Sequence, residues 1–222
     1  MKYLTILLFL IPATVDATTN FEKPAPWVGK DLTGMPCRQF NQAYGPYDYT
    51  KRHLYPKELE LVESTHFHKE IEYLVDKTRH TGETQGDLHY TLNAWPNHHR
   101  ALLSVIRYQI KLNNKMMRPI PLTTPPECYL QRAIHFSPND PGPQSLMGYY
   151  LRKMNRPKQA IKHYEKALEL SPDNAKIEYS FSLLLIRLKQ YNQALKMAKK
   201  AYQDGHPPPG LRNKLIKLGI WK

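Results

Sequence analysis

Small and apolar residues in the C-terminal half recur in helical steps, and the pattern itself repeats. Pro138 and Pro172 are 34 residues apart, as are Ala133, Ala167 and Ala201, and as are Ala160 and Ala194. A fixed period of this size marks a stack of similar supersecondary units, each too small to bury its apolar faces alone. Gly148, Ala160, Ser182 and Ala194 let antiparallel helices approach closely, while Leu151, Tyr164, Leu185 and Leu195 fill the space between hairpins. Pro172 stops helix growth because its ring clashes with the preceding turn and it lacks an N–H. Gly205 and Pro207-Pro208-Pro209 end the last repeat helix. Leu211, Leu215, Ile216, Leu218 and Trp221 then predict a short capping helix.

Upstream the pattern weakens. Leu102, Val105, Ile106 and Ile110 line one side of a predicted helix running from an Asn97 cap through Leu112. The stretch from Asn113 to Pro126 holds four prolines and reads as a loop. A shorter helix is expected from an Asp87 cap to the residue before Pro96, with Gly82 and Gly86 bracketing the loop ahead of it. Between Leu59 and Val75 the apolar positions fit a helical face only in part, and the expectation is a strand over 59–63 followed by a helix over about 66–77. Prolines, glycines and polar residues from Thr18 to about Tyr55 predict irregular structure. Aromatics such as Trp27, Tyr47 and Tyr49 are frequent there, so the segment is expected to pack on the rest.

The first residues change the picture of where the protein works. Lys2, an apolar run from Leu4 to Ile11, Pro12 and the small-residue sequence Val15-Asp16-Ala17 have the order of a secretory signal cleaved near Ala17. The run is less than half of the about 20 apolar residues that cross a bilayer. Export, into the periplasm or out of the cell, is the expectation. In an oxidising compartment Cys37 and Cys128 are either a disulfide or two buried free thiols. Charge is polarised: residues 141–222 hold 16 Lys and Arg against 5 Asp and Glu, while residues 1–140 hold 16 against 14. Such a distribution favours an acidic protein or peptide, or peripheral contact with an anionic envelope surface; export argues against nucleic acid.

The unit from Pro141 to Asn174 carries Met147-Gly148, Leu151, Ala160, Tyr164, Ala167 and Pro172 at internal spacings that resemble a full tetratricopeptide repeat. The next, 175–208, keeps Phe181-Ser182, Leu185, Ala194 and Ala201 in register. It departs from the motif with Ala198 where an aromatic is usual and His206 where Pro is usual. Residues 97–140 resemble a degenerate copy, through Ala133 and Pro138. The resemblance implies a mostly α fold: a short hairpin array over 86–222, capped by 209–222, preceded by an irregular aromatic-rich segment over 18–85 and the signal over 1–17. The N-terminal block loosely resembles that of exported repeat proteins of Gram-negative bacteria.

The same resemblance implies a non-enzymatic protein-interaction module in which the first helix of each hairpin lines a concave groove. Carried over by position, the groove comprises Ser145, Tyr149, Arg152, Lys153, Lys176, Tyr179, Leu183, Ile186 and Arg187. Its cations and tyrosines suit an acidic or extended peptide of a partner. The family's chaperone-tail clamp is not expected, because its groove asparagines are absent. The alternatives are a basic binder of anionic envelope polymer or lipid headgroups, and a metal protein built on His66, His68, His98 and His99. Against the latter stands the plainer reading of surface and cap histidines. No hydrolase elbow, zinc-protease motif, phosphate loop or dinucleotide fingerprint occurs, so neither catalysis nor a cofactor is expected.

Overall fold

A computed structural model describes residues 24–42, 44–75, 83–116, 120–205 and 207–222. The expected signal, residues 1–17, lies outside the described residues, as do His206 and the end of the helix expected to reach 77. The chain runs through a 3-10 helix (Tyr49–Leu54), α1 (Pro56–His66), α2 (Lys69–Tyr73), α3 (Glu83–Ala94), α4 (His99–Asn113) and α5 (Pro126–Phe136). It continues through α6 (Pro141–Lys153), α7 (Pro157–Leu170), α8 (Ala175–Arg187), α9 (Tyr191–Gln203) and α10 (Gly210–Lys217). No strand occurs among the described residues.

The repeat positions act as the spacing predicts. Helices α6/α7 and α8/α9 form two hairpins; α7 packs on α8, α4 and α8 flank α6, and α10 closes the end against α8 and α9. Asp140 and Asn174, 34 residues apart, accept from the Gly142 and Ile177 amides and start α6 and α8. Each of these helices ends in a left-handed residue, Asn155 or Lys189. The next amide then reaches back to a carbonyl in the last turn, Arg156 N to Leu151 O at 2.8 Å and Gln190 N to Leu185 O at 2.9 Å. At the crossing of α6 and α7 a Cβ on Gly148 would stand 2.9 Å from the Tyr164 ring. At the next crossing Ser182 Oγ donates to Ala194 O at 2.7 Å. Tyr164, with no exposed surface, stacks on Phe181 of the following hairpin at 5.4 Å. Burial of one such ring contributes about 2–3 kcal/mol.

Upstream, four expectations are corrected. Residues 59–63 are helical, inside α1: Pro56 sets the first turn, Val62 faces the core, and Leu61 is left 57% exposed. A short α2, closed by left-handed Leu74, replaces the longer helix expected over 66–77. Helix α3 begins before Gly86, so Asp87 is an interior residue contacting His66 at 2.8 Å, and the boundary drawn at 85/86 falls within a helix. The cap of α4 is His98, whose Nδ1 accepts from Ala101 N at 3.1 Å. Asn97 is engaged elsewhere: its buried amide donates to Asp48 and Asp140, at 2.7 and 2.9 Å, and accepts from Tyr49 N at 2.8 Å.

Residues 24–42 form a strap over α5. Cys37 and Cys128 are disulfide-bonded across a separation of 91 residues, which decides between the two alternatives for this pair. Closing a loop of that length stabilises by about 4–5 kcal/mol in the chain-entropy description. Around the bond, Leu32 N donates to Glu127 at 2.8 Å, and Gln131 pairs with both backbone groups of Lys30. The Arg132 guanidinium, buried in α5, donates to Ala25 O, Leu92 O and Gln42 Oε1.

Candidate functional site

The groove expected from the repeat lies along α6 and α8, which stand side by side. Tyr149, Tyr179 and Leu183 are half-buried and packed on the core, so each keeps part of its apolar surface in solvent. Around Tyr149 the charge is local and oriented. The Arg152 guanidinium lies 5.3 Å and the Lys153 ammonium 5.7 Å from its ring centre. Arg152 also neighbours Tyr164, whose hydroxyl is pushed up to about 12 by burial, an effect the guanidinium partly offsets. Lys153 and Lys176 are exposed and Ser145 half-buried. Tyr179 reaches toward the start of α10: its hydroxyl is 3.5 Å from where a Cβ on Gly210 would stand.

Two of the nine expected residues have other work. Ile186 is only 6% exposed and belongs to the core, because the stacking of α8 covers the face on which it sits. Arg187 is exposed, but its guanidinium donates to Arg152 O at 2.8 Å and Asn155 Oδ1 at 2.7 Å. It thereby joins α8 to the carboxyl end of α6, where unpaired carbonyls favour a cation. The remaining face presents Arg152, Lys153 and Lys176 around Tyr149, Tyr179 and Leu183. Such a face can pair with carboxylates and cover apolar side chains of an extended segment.

The four histidines weighed as metal ligands are dispersed. His66 contacts Asp87, His68 contacts Glu70, His98 contacts Glu63 and His99 contacts Asp140, at 2.7–2.9 Å. Among the described residues no group of three metal-binding side chains converges. His98 is the informative one. With Nδ1 accepting from the α4 backbone, its proton sits on Nε2 and is donated to Glu63 at 2.9 Å. Burial holds the imidazole below the usual histidine range, outweighing the opposing effect of Glu63; the same contact, with Arg100, holds the Glu63 carboxyl low despite its burial. An open pocket of about 680 Å³ includes Glu63 in its lining, together with Pro56, Leu59 and Phe67 and the cations Arg52, Lys69 and Arg100. No local motif marks it, since its residues come from four separate elements, the 3-10 helix, α1, α2 and α4.

Burial also lowers His89 and His163. All three histidines therefore bind protons less readily folded than unfolded. Stability is then expected to fall as pH drops below about 6.5, the unfolded histidine value, until the folded values are reached. Thermal unfolding between about pH 7.5 and 5 checks this, and His98→Asn, which keeps a cap acceptor, is expected to flatten the profile. A midpoint that does not move over that range contradicts the assignment of neutral buried imidazoles.

The geometry of two repeated hairpins agrees with the sequence comparison. Residues 144–174 match the tetratricopeptide repeat family model. Protein O-mannosyl-transferase TMTC3 of Homo sapiens is 39% identical over 66 residues, covering 30% of this chain and 7% of that protein, so the match spans a small part of the relative's length. Among solved structures, MamA MSR-1 C2 and MamA AMB-1 C2221 each show 16% identity over 70% of this chain, with TM-scores of 0.40, and are covered to 90% and 91%. The tetratricopeptide match supports a scaffold for protein–protein contact.

Proposed function

We propose that this chain is a non-enzymatic interaction module, exported to the periplasm or beyond, whose α6/α8 face binds an acidic, extended segment of a partner protein. The observation that carries the reading is the placement of Tyr149, Tyr179 and Leu183, half-open, among Arg152, Lys153 and Lys176 on two stacked helices. No described helix is long and apolar enough to cross a membrane. N-terminal sequencing tests the export; a start at Thr18 supports it and a start at Met1 overturns it.

A second reading has its own observation. Lys158, Lys162, Lys196 and Lys199 are exposed on the outer helices α7 and α9, and anionic polymer or lipid headgroups are the partners such lysines suit. Fluorescence anisotropy with a labelled Asp/Glu-rich peptide containing Leu and Tyr separates the two. Lys153→Glu with Lys176→Glu is expected to weaken binding about tenfold, while Arg187 is left intact to preserve the fold. In about 1 M salt, where screening acts within about 3 Å, binding seated on the tyrosines persists in part. Binding that ignores the double variant and disappears in salt belongs to the outer lysines, and absence of binding overturns the groove reading.

A further inference from the structure

In both complete hairpins, two positions of the first helix meet the second helix of the same unit. Gln144 pairs with His163 of α7 at 2.8 Å, and Glu178 pairs with Lys200 of α9 at 3.0 Å. One turn on, Gly148 lies under Tyr164 and Ser182 bonds to Ala194 O. Helix α10 continues this register. At the 34-residue period Leu211 and Leu215, both fully buried, follow Ile177 and Phe181, so α10 packs on α8 and α9 as the first helix of a third unit. Arg212 then follows Glu178, and Ile216 follows Ser182.

The turn after α10 also repeats, one helical turn early. Gly219 is left-handed like Asn155 and Lys189, and Ile220 N reaches back to Leu215 O at 2.9 Å. Trp221 packs edge-on against Tyr202, with the Arg212 guanidinium 5.3 Å from its ring. Arg212 is exposed and Ile216 is 49% exposed.

We infer that the α10 face carrying Arg212 and Ile216 docks an amphipathic, acidic helix of a partner protein, in the place that α7 and α9 take in the preceding units. Charge selects the occupant. Arg212, Lys214 and Lys217 of α10 and Lys222 beyond it are all exposed, and α10 carries no acidic residue. A carboxylate placed where Lys200 stands in α9 would pair with Arg212, reversing the Glu178–Lys200 polarity. Ile216 is larger than Gly148 or Ser182, so the docked helix needs alanine or glycine opposite it. A second copy of α10 is disfavoured, since it would set these cations against themselves. The site is distinct from the α6/α8 groove and takes a helix, not an extended segment.

The test uses a peptide with the α9 sequence, Tyr191 to Gln203, carrying Lys196→Glu, Lys199→Glu and Lys200→Glu, titrated into the isotopically labelled full chain. Amide shifts are expected on α10, with affinity reduced about tenfold by Arg212→Glu or Ile216→Asp and unchanged by the Lys153→Glu, Lys176→Glu groove variant. The unmodified α9 peptide should in turn bind the Arg212→Glu chain better than it binds the native one. Dispersed spectra of the variants establish that they fold, as expected for two exposed positions. No shifts on α10, an Arg212→Glu effect that the lysine peptide does not reverse, or sedimentation showing that Ile216→Asp dissociates a homo-oligomer would each overturn the proposal.

Discussion

Arg132→Met is expected to lower the unfolding midpoint by about 10 °C and to loosen the strap over residues 24–42 first. Arg132 is 1% exposed, and among the described residues no carboxylate is bonded to it. Its donors go to Ala25 O at 2.8 Å, Leu92 O at 2.6 Å, Gln42 Oε1 at 2.8 Å and, more weakly, Asn93 O at 3.4 Å. The Leu92 and Asn93 carbonyls are in the last turn of α3, where no intrahelical donor remains and a cation is favoured. The guanidinium also lies 4.6 Å from the Trp27 ring centre. Burial brings its pKa down to about 10, so it stays charged at neutral pH.

Methionine fills a similar volume, which keeps cavity formation small, but it leaves these acceptors buried without donors. Losing several charge-assisted bonds costs about 3–4 kcal/mol, at roughly 2–4 °C per kcal/mol for a chain of this size. Because Cys37–Cys128 still holds the strap to α5, hydrogen exchange should show protection lost in 25–42 and 88–95 while α6 to α9 keep theirs. Arg132→Lys, with a single donor group, should fall between. A midpoint within about 2 °C of the native one would mean that solvent reaches these carbonyls and that the guanidinium is not what closes the strap.

Arg132 also shows why one half of this fold can be read from sequence and the other cannot. In the array, what fixes the fold is local and periodic: a small residue at Gly148 or Ser182, alanines at 160 and 194, and a cap at Asp140 or Asn174, each within one hairpin of its partner. Residue spacing carries that information directly. The N-terminal region is held by polar residues that find partners across 40 to 107 positions, such as Arg132 with Leu92 and Ala25, and Asn97 with Asp140 and Asp48. A buried arginine or asparagine in sequence looks like a surface one, and Asn97 before a helical run looks like a cap. The partial helical fit of the apolar positions from Leu59 to Val75 misleads over residues 59–63, because a strand needs a neighbour and the described residues offer none there. At the α6/α8 face, Arg152 and Lys153 stand beside Tyr149, residues that repeat position puts on one helix. Repeat position could not reveal that α8 stacks tightly enough to bury Ile186, or that Arg187 is needed to tie α8 to the turn at Asn155.

Gly148→Leu is expected to destabilise by about 3 kcal/mol or more, again about 10 °C, and to abolish binding at the α6/α8 face along with it. Even a Cβ at this position would stand 2.9 Å from two carbons of the Tyr164 ring. That ring cannot retreat cheaply: Tyr164 has no exposed surface and rests on Phe181 of α8, so making room on α6 pushes on the next hairpin. Gly148→Ala should cost much less. The gain in helix propensity, about 1 kcal/mol over glycine, offsets part of the contact strain.

The source of the cost can be separated from a general intolerance of change in α6. Tyr164→Ala alone should destabilise by about 3–5 kcal/mol through the lost ring. In the double variant the leucine side chain enters the space the ring has left, so the two losses should sum to more than is measured, by at least about 1 kcal/mol. Additive losses would place the strain elsewhere than the Gly148–Tyr164 crossing. A large coupling would show that one glycine sets the distance between α6 and α7, and with it, through Tyr164 and Phe181, the relation of α6 to α8 on which the proposed groove depends.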